Sequence, residues 1–252
     1  MHAAFRLDGR RAIVTGASRG LGAAMARALA EAGADVAGVA TGSLEATGEE
    51  VRACGRRFVA IREDLADAVA PSRVVARAAE SLGGVDILVN NAGIIRRRDA
   101  LEFTQDDWDA VIDVNLKAAF FLAQAAARRY VEQGAGGKIV NVASMLSFQG
   151  GVRVASYTAS KSAIVGLTRL LANEWAAKGI NVNAIAPGYM ATDNTAPLRA
   201  DPARSADILA RIPAGRWGEP SDLAGAVVFL ASSASDYVHG ATLAVDGGWL
   251  AR

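Results

Sequence analysis

"RAIVTGASRGLG", residues 11–22, carries an apolar, β-branched run into three glycines, Gly16, Gly20 and Gly22, which lead directly into the Ala-rich stretch "AAMARALAEAG". Strand, glycine turn and helix in that order make the unit from which parallel sheets are built, because two parallel strands need a crossover between them. Glycines at such a turn let backbone N–H groups approach a pyrophosphate at the positive end of the helix dipole. In a chain with 26 glycines the spacing is not distinctive alone, so the rest of the sequence has to decide.

The same alternation recurs to the end of the chain. Strands are expected at "RAIVTG", "ADVAGVAT", "RFVAIRED", "VDILVNNAG", "GKIVNVAS", "INVNAIAPG" and "TLAVDGG". Helices are expected near 20–32, 43–54, 69–82, 105–133, 157–178 and 220–233, where Ala, Leu, Glu and Arg dominate. The expected fold is α/β: one Rossmann-like, doubly wound, parallel seven-stranded sheet with helices on both faces, spanning 1–252 as a single domain. Pro197, Pro202 and Pro213 interrupt the segment 190–215, which is polar and weakly periodic, so a mobile, substrate-covering segment is expected there rather than regular structure.

Composition narrows the partners. Lys plus Arg number 27 against 26 Asp plus Glu, a net charge of +1, so no broad basic field would attract nucleic acid or an anionic membrane. The chain has no run of about 18 apolar residues, and "MHAAFRLDGR" at its start lacks the apolar core of a secretory signal. Cys54 is the only cysteine. A soluble, cytoplasmic chain acting on a small molecule is expected.

The octet "TGASRGLG" also fits G-x-S-x-G, the nucleophile elbow of a serine hydrolase, with Ser18 as nucleophile. The only histidine downstream is His239, and only one strand precedes Ser18, so the loop that would supply the second oxyanion donor is missing.

"VASYTASKSAIVG", residues 154–166, points to different chemistry. Tyr157 and Lys161 stand at i and i+4 and so share one face of the helix. A phenol ordinarily ionises near pH 10, too high for acid/base work at neutral pH. A lysine charge about 4 Å away is worth about 4 kcal/mol at an effective dielectric near 20, or roughly three pKa units, an upper bound that brings the phenol near neutrality. "GKIVNVAS" ends at Ser144, at the carboxyl edge of the sheet where ligands enter, and a hydroxyl there can hold a carbonyl oxygen.

With these residues assembled, the chain resembles the short-chain dehydrogenase/reductase family from "RAIVTG" to its end. "TGASRGLG" is similar to the family's cofactor turn, "NNAG" at 90–93 to its strand-four motif and "YTASK" at 157–161 to its Tyr-x-x-x-Lys. Ser144 falls thirteen residues before Tyr157, "DVNL" contains Asn115, and "APG" at 186–188 matches the nicotinamide-side turn. The resemblance implies Tyr157 as acid/base, Ser144 orienting the substrate oxygen, Lys161 lowering the phenol pKa while holding the nicotinamide ribose, and Asn115 supporting a water-mediated proton relay. It further implies a cofactor site made by Gly16, Ser18, Arg19, Gly20, Leu21, Gly22, Thr41, Asp64, Leu65, Asn91, Tyr157, Lys161, Pro187, Gly188, Met190 and Thr192, with no metal. A homotetramer is the implied assembly. A dinucleotide-binding regulator without catalysis is the non-enzymatic alternative, and the intact Asn115, Ser144, Tyr157 and Lys161 argue against it.

Within the family, "RRRDALEFTQDDWD", "APGYMATDNT" and "RIPAGRWGEPSDLAG" resemble members that act on a sugar-acid hydroxyl, with carrier-protein ketoacyl reductases as an overlapping alternative. That likeness favours NAD as cofactor, with NADP as the alternative. The end of strand two, "GVATGSLE", has no acidic residue for the ribose unless Glu45 folds back, whereas Arg19 and Thr41 suit a 2′-phosphate. Ser147 reads as an ordinary loop hydroxyl. For a substrate carboxylate, Arg153 is the expected clamp, Arg97 its assistant and Gln149 a hydroxyl partner, since the chain between Ser144 and Tyr157 crosses the site mouth.

Overall fold

The computed structural model describes residues 2–252. Seven strands form one sheet: β1 (Arg11–Thr15), β2 (Asp35–Ala40), β3 (Phe58–Arg62), β4 (Ile87–Asn90), β5 (Gly137–Val142), β6 (Ile180–Pro187) and β7 (Thr242–Val245). Their order across the sheet is β3-β2-β1-β4-β5-β6-β7, with every pairing parallel. The direction of winding reverses between β1 and β4, and Ile13 pairs with Leu88 there. Such a switch point splays two successive loops apart and leaves a crevice at the carboxyl ends of the strands.

The central strands are nearly continuous runs of Val, Ile and Ala because both of their faces are covered. On one face, α1 (Gly20–Glu31), α2 (Glu45–Ala53) and α9 (Ala224–Ala231) bury Met25, Leu29, Val51 and Val227 against Val14, Val36 and Val89. On the other, α3 (Ala70–Leu82), α5 (Ala118–Gln133) and α6 (Ala155–Trp175) bury Val74, Leu122 and Leu171 against Ile13, Val39 and Ile139. Each large aliphatic side chain buried this way contributes about 1.5–3 kcal/mol. At the amino edge of the sheet, Asp86 receives two side-chain hydrogen bonds from Arg11 (2.7 and 2.9 Å) and Asp35 accepts from Arg57 (2.8 Å), fastening the strand ends farthest from the crevice.

Two expectations change. The stretch 105–133 is helical throughout, as read, but a π-helical turn over Asp113–Lys117 divides it into α4 (Gln105–Ile112) and α5. Wide turns of this kind recur inside helices at functional sites because they re-aim a side chain. The stretch 190–215 is not irregular: it contains α7 (Ala196–Ala200) and α8 (Pro202–Arg211). Pro197 and Pro202 begin these helices, where a missing N–H costs nothing, so they initiate structure that the sequence reading took them to break. Ile208 of α8 is buried with Met145, Ile212 and Trp249, and the Arg211 guanidinium lies 4.0 Å from the Trp249 ring centroid.

Candidate active site

The crevice at the switch point is walled by the glycine turn on one side and by the end of β6 and its following loop on the other. Gly16, at φ +66°, turns the chain out of β1, a conformation that costs a side-chain-bearing residue energy. A Cβ on Gly22 would collide with the Gly16 carbonyl and stand 2.6 Å from Asn91 Nδ2. The first turn of α1 therefore lies against β4, with its N-terminus open to the crevice. Asn91 secures this arrangement by donating to the Thr15 carbonyl (2.8 Å), while the Thr15 hydroxyl accepts from Asn91 N (3.0 Å) and Ala92 N (2.9 Å).

Of the residues singled out in the sequence, Gly16, Ser18, Arg19, Gly20, Leu21, Gly22, Asn91, Ser144, Tyr157, Lys161, Pro187, Gly188, Met190 and Thr192 all line this crevice. Thr41, Asp64 and Leu65 follow β2 and β3 and stand outside its enclosed part. Ala92, Gly93, Ile94, Val142, Ala143, Asp193, Asn194 and Thr195 also line it; all but Ile94 fall inside stretches quoted above as motifs, but none was singled out as a site residue because the motifs do not say which of their members face the ligand.

Ser144 ends β5 and its hydroxyl accepts from Leu146 N (3.2 Å). Ser147, taken as an idle loop hydroxyl, accepts from Ser144 N (3.2 Å) and donates to the Lys161 carbonyl (2.6 Å), so it ties the Ser144 turn to α6. Tyr157 and Lys161 share the inner face of α6, with the Lys161 ammonium 5.7 Å from the phenol ring centroid. Lys161 is buried, and its hydrogen bond goes to the Val142 carbonyl at 2.6 Å. An ammonium has three donors, so the others face the crevice. Burial brings its pKa down to about 8. Burial also raises the Tyr157 pKa, against opposing contributions from a hydrogen bond with Ser144 and from the positive charge of Arg97. Ser144 and Arg97 oppose that rise without reversing it, and the lowering expected from Lys161 is not among the influences on this phenol.

Asn115 lies in the π-helical turn and is buried. Its amide oxygen accepts from Ile94 N (2.8 Å), and its amide nitrogen donates to the Ile94 carbonyl (3.0 Å) and to Ser160 Oγ (3.4 Å). It braces the loop after β4 against α6.

The substrate arginines need correction. Arg153 does not line the crevice: it is the one side-chain-bearing residue with positive φ (+63°) among the described residues, and its guanidinium turns outward to Asp99 at 3.4 Å. Gln149 is half-buried and also outside the crevice wall. Arg96 and Arg98 both pair with Asp107, at 3.6 and 3.1 Å. Arg97 is left as the member of the triplet without a carboxylate partner among the described residues; it donates to the Asn194 carbonyl (3.1 Å) and acts on Tyr157. The hydrolase alternative also fails, because His239 stands at the amino end of β6, its Nε2 3.2 Å from Asn181 Nδ2, while Ser18 stands at the carboxyl ends of the strands.

The donor set fits a dinucleotide. A helix N-terminus approached by glycines suits a pyrophosphate, and buried Lys161 with donors to spare suits ribose hydroxyls. Comparison with known proteins agrees. A family model described as enoyl-(acyl carrier protein) reductase matches residues 16–250. The chain is 61% identical to the 2-dehydro-3-deoxy-D-gluconate 5-dehydrogenase of Escherichia coli (strain K12), covering 99% of this chain and 98% of that one. The enzyme of the same name from Bacillus subtilis (strain 168) is 53% identical, covering 100% and 99%. A solved structure from Agrobacterium tumefaciens, provisionally assigned as 2-deoxy-D-gluconate 3-dehydrogenase and holding NADP, is 58% identical with a TM-score of 0.95, covering 99% of this chain and 100% of that one.

Proposed function

The chain belongs to the short-chain dehydrogenase/reductase family, and on that premise we propose that it interconverts a hydroxyl and a ketone on a sugar acid such as 2-dehydro-3-deoxy-D-gluconate or 2-deoxy-D-gluconate. It is an oxidoreductase acting on CH–OH groups with a nicotinamide dinucleotide. The observation that carries the substrate class is Arg97: an arginine without a carboxylate partner among the described residues, held by a hydrogen bond to the carbonyl of Asn194, which does line the crevice. A planar guanidinium is the side chain best shaped to take a carboxylate through two parallel hydrogen bonds.

When bound, the dinucleotide supplies or accepts the hydride. The turn Gly16–Gly22 would hold its pyrophosphate side, Lys161 its nicotinamide ribose and the 187–192 loop its carboxamide side. Tyr157 moves the proton at its hydroxyl, giving it to the nascent alkoxide in reduction and taking it in oxidation. Ser144 orients the same substrate oxygen and Asn115 supports the proton path. Segment 190–215 closes over the bound ligands. NAD is the main cofactor and NADP the alternative: the end of β2 offers a 2′-phosphate no repulsion, yet Arg19, the cation that would take it, is paired with Asp193 at 3.4 Å. The assembly is a cytoplasmic homotetramer without nucleic-acid or membrane partners; exposed Phe121, Val131 and Leu170 on α5 and α6 offer apolar surface for subunit contact.

Steady-state rates with NADH and NADPH on 2-dehydro-3-deoxy sugar acids, on keto-gluconates and on carrier-bound 3-oxoacyl thioesters test this reading. The highest kcat/KM is expected on a sugar acid with NADH; preference for the thioester, or no turnover of any sugar acid, refutes it. Arg97→Ala is expected to raise KM for the sugar acid about ten- to a hundredfold, the scale of charge-assisted hydrogen bonds, and to change KM for an uncharged ketone of similar size little. It should also move the Tyr157 limb of the pH profile upward, because the charge that opposes burial is gone. Arg153→Ala, by contrast, should affect charged and uncharged substrates alike.

A further inference from the structure

Arg19 caps α1, and its side chain reaches across the crevice to Asp193, Nε to Oδ2 3.4 Å. Asp193 is not loosely placed. It begins a short 3-10 turn, Asp193–Thr195, in which the Thr195 hydroxyl donates to the Met190 carbonyl (2.5 Å) and accepts from Thr192 N (3.2 Å). A Cβ built on Gly20 would stand 3.8 Å from Thr192 Cγ2, so this turn lies directly over the positive end of α1. The chain thus carries an anion of its own beside the arginine of its glycine turn.

The end of β2 makes this matter. Ala40, Thr41, Gly42 and Ser43 bear no charge, and the first carboxylate after them, Glu45, belongs to the first turn of α2, so the strand end itself offers none to prefer ribose hydroxyls or to repel a 2′-phosphate. Discrimination between NAD and NADP then falls to Arg19, the arginine of the glycine turn that lines the crevice, and Arg19 is already engaged. We propose that Asp193 is a specificity-determining residue that weakens NADP relative to NAD by holding Arg19 away from the adenosine ribose. NADP has to draw the guanidinium off Asp193 to pair its 2′-phosphate; NAD binds with the pair intact. The inference rests on the dinucleotide reading above and deepens it.

Dissociation constants measured by titrating protein fluorescence, without substrate, test it directly. Asp193→Asn keeps the shape of the side chain and removes its charge. It is expected to tighten NADPH binding about two- to fivefold, the scale of an exposed ion pair, and to change NADH binding less than about twofold. In an Arg19→Ala background the same substitution is expected to leave the NADPH/NADH ratio where it was. Added salt should shrink the effect, since both groups are exposed. Both are surface side chains, and unchanged melting curves of the free variants would confirm intact folding. Equal shifts for the two dinucleotides would overturn the proposal, showing Asp193 to be only a general repulsive charge, and so would an effect that persists without Arg19. Absence of binding of either dinucleotide by the wild-type chain would instead sink the functional reading, and the proposal with it.

Discussion

Tyr157→Phe is expected to lower kcat by at least about a hundredfold in both directions while leaving dinucleotide affinity within about threefold of wild type. The substitution deletes one oxygen, and the ring keeps its place on α6 above the Lys161 ammonium. What is lost is the group that exchanges a proton with the substrate oxygen, and Ser144 cannot replace it, because its hydroxyl has no neighbouring base among its partners at Leu146 N and Tyr157. The wild-type pH profile carries the signature of the same residue. Burial outweighs Ser144 and Arg97 and holds the phenol pKa above its ordinary value, so the proton is present at neutral pH. Reduction, which spends that proton, should hold its rate into the alkaline range and then fall; oxidation, which needs the phenolate, should rise through the same range. Tyr157→Phe should lack both limbs. Turnover above about a tenth of wild type would sink the assignment.

Lys161→Met is expected to separate function from stability. It should reduce turnover at least about a hundredfold and weaken dinucleotide binding, since the donors facing the crevice disappear. The free protein, however, should become more stable at neutral pH. Burial lowers the Lys161 pKa from 10.5 to about 8. At pH 7 the ammonium is charged in both folded and unfolded chains, and keeping it charged inside costs on the order of 3 kcal/mol. Methionine removes that cost and forfeits one hydrogen bond to Val142, worth about 1 kcal/mol. The net gain of about 1–2 kcal/mol corresponds to a melting temperature a few degrees higher. Between pH 8 and 10.5 the unfolded chain binds a proton at this site that the folded chain does not, so wild-type stability rises relative to the variant and the gap narrows. A variant that melts lower than wild type at pH 7 would show that the ammonium is stabilising where it sits.

Much of this protein is legible in one dimension. Strand and crossover alternate along the chain, and seven parallel strands follow from that alternation because parallel pairing needs a connection the length of a helix. Tyr157 and Lys161 were recognisable because the helix repeat alone puts them on one face, and Ser144 because a strand that ends in a hydroxyl places it at the sheet's carboxyl edge. Local geometry carries such features, so they survive whatever the rest of the chain does.

Other features depended on contacts between residues far apart in sequence. Neither the π-helical turn that aims Asn115 at Ile94 nor the service of Pro197 and Pro202 as helix starts could be told from composition, since a proline breaks or begins a helix according to where the neighbouring turn falls. The choice of arginine is the clearest case. Spacing favoured Arg153, but its backbone lies in the left-handed region and its guanidinium is drawn outward to Asp99, while Asp107 takes Arg96 and Arg98 and leaves Arg97 to bond the Asn194 carbonyl at the crevice wall. The pairing of Arg19 with Asp193 likewise exists only once α1 and the loop after β6 meet across the switch point. Sequence determined which chemistry this protein has available, because that follows from residue type and short-range period. The tertiary structure decided which charges face the ligand, because a charge goes to whichever partner the fold brings within reach, and no local rule contains that partner.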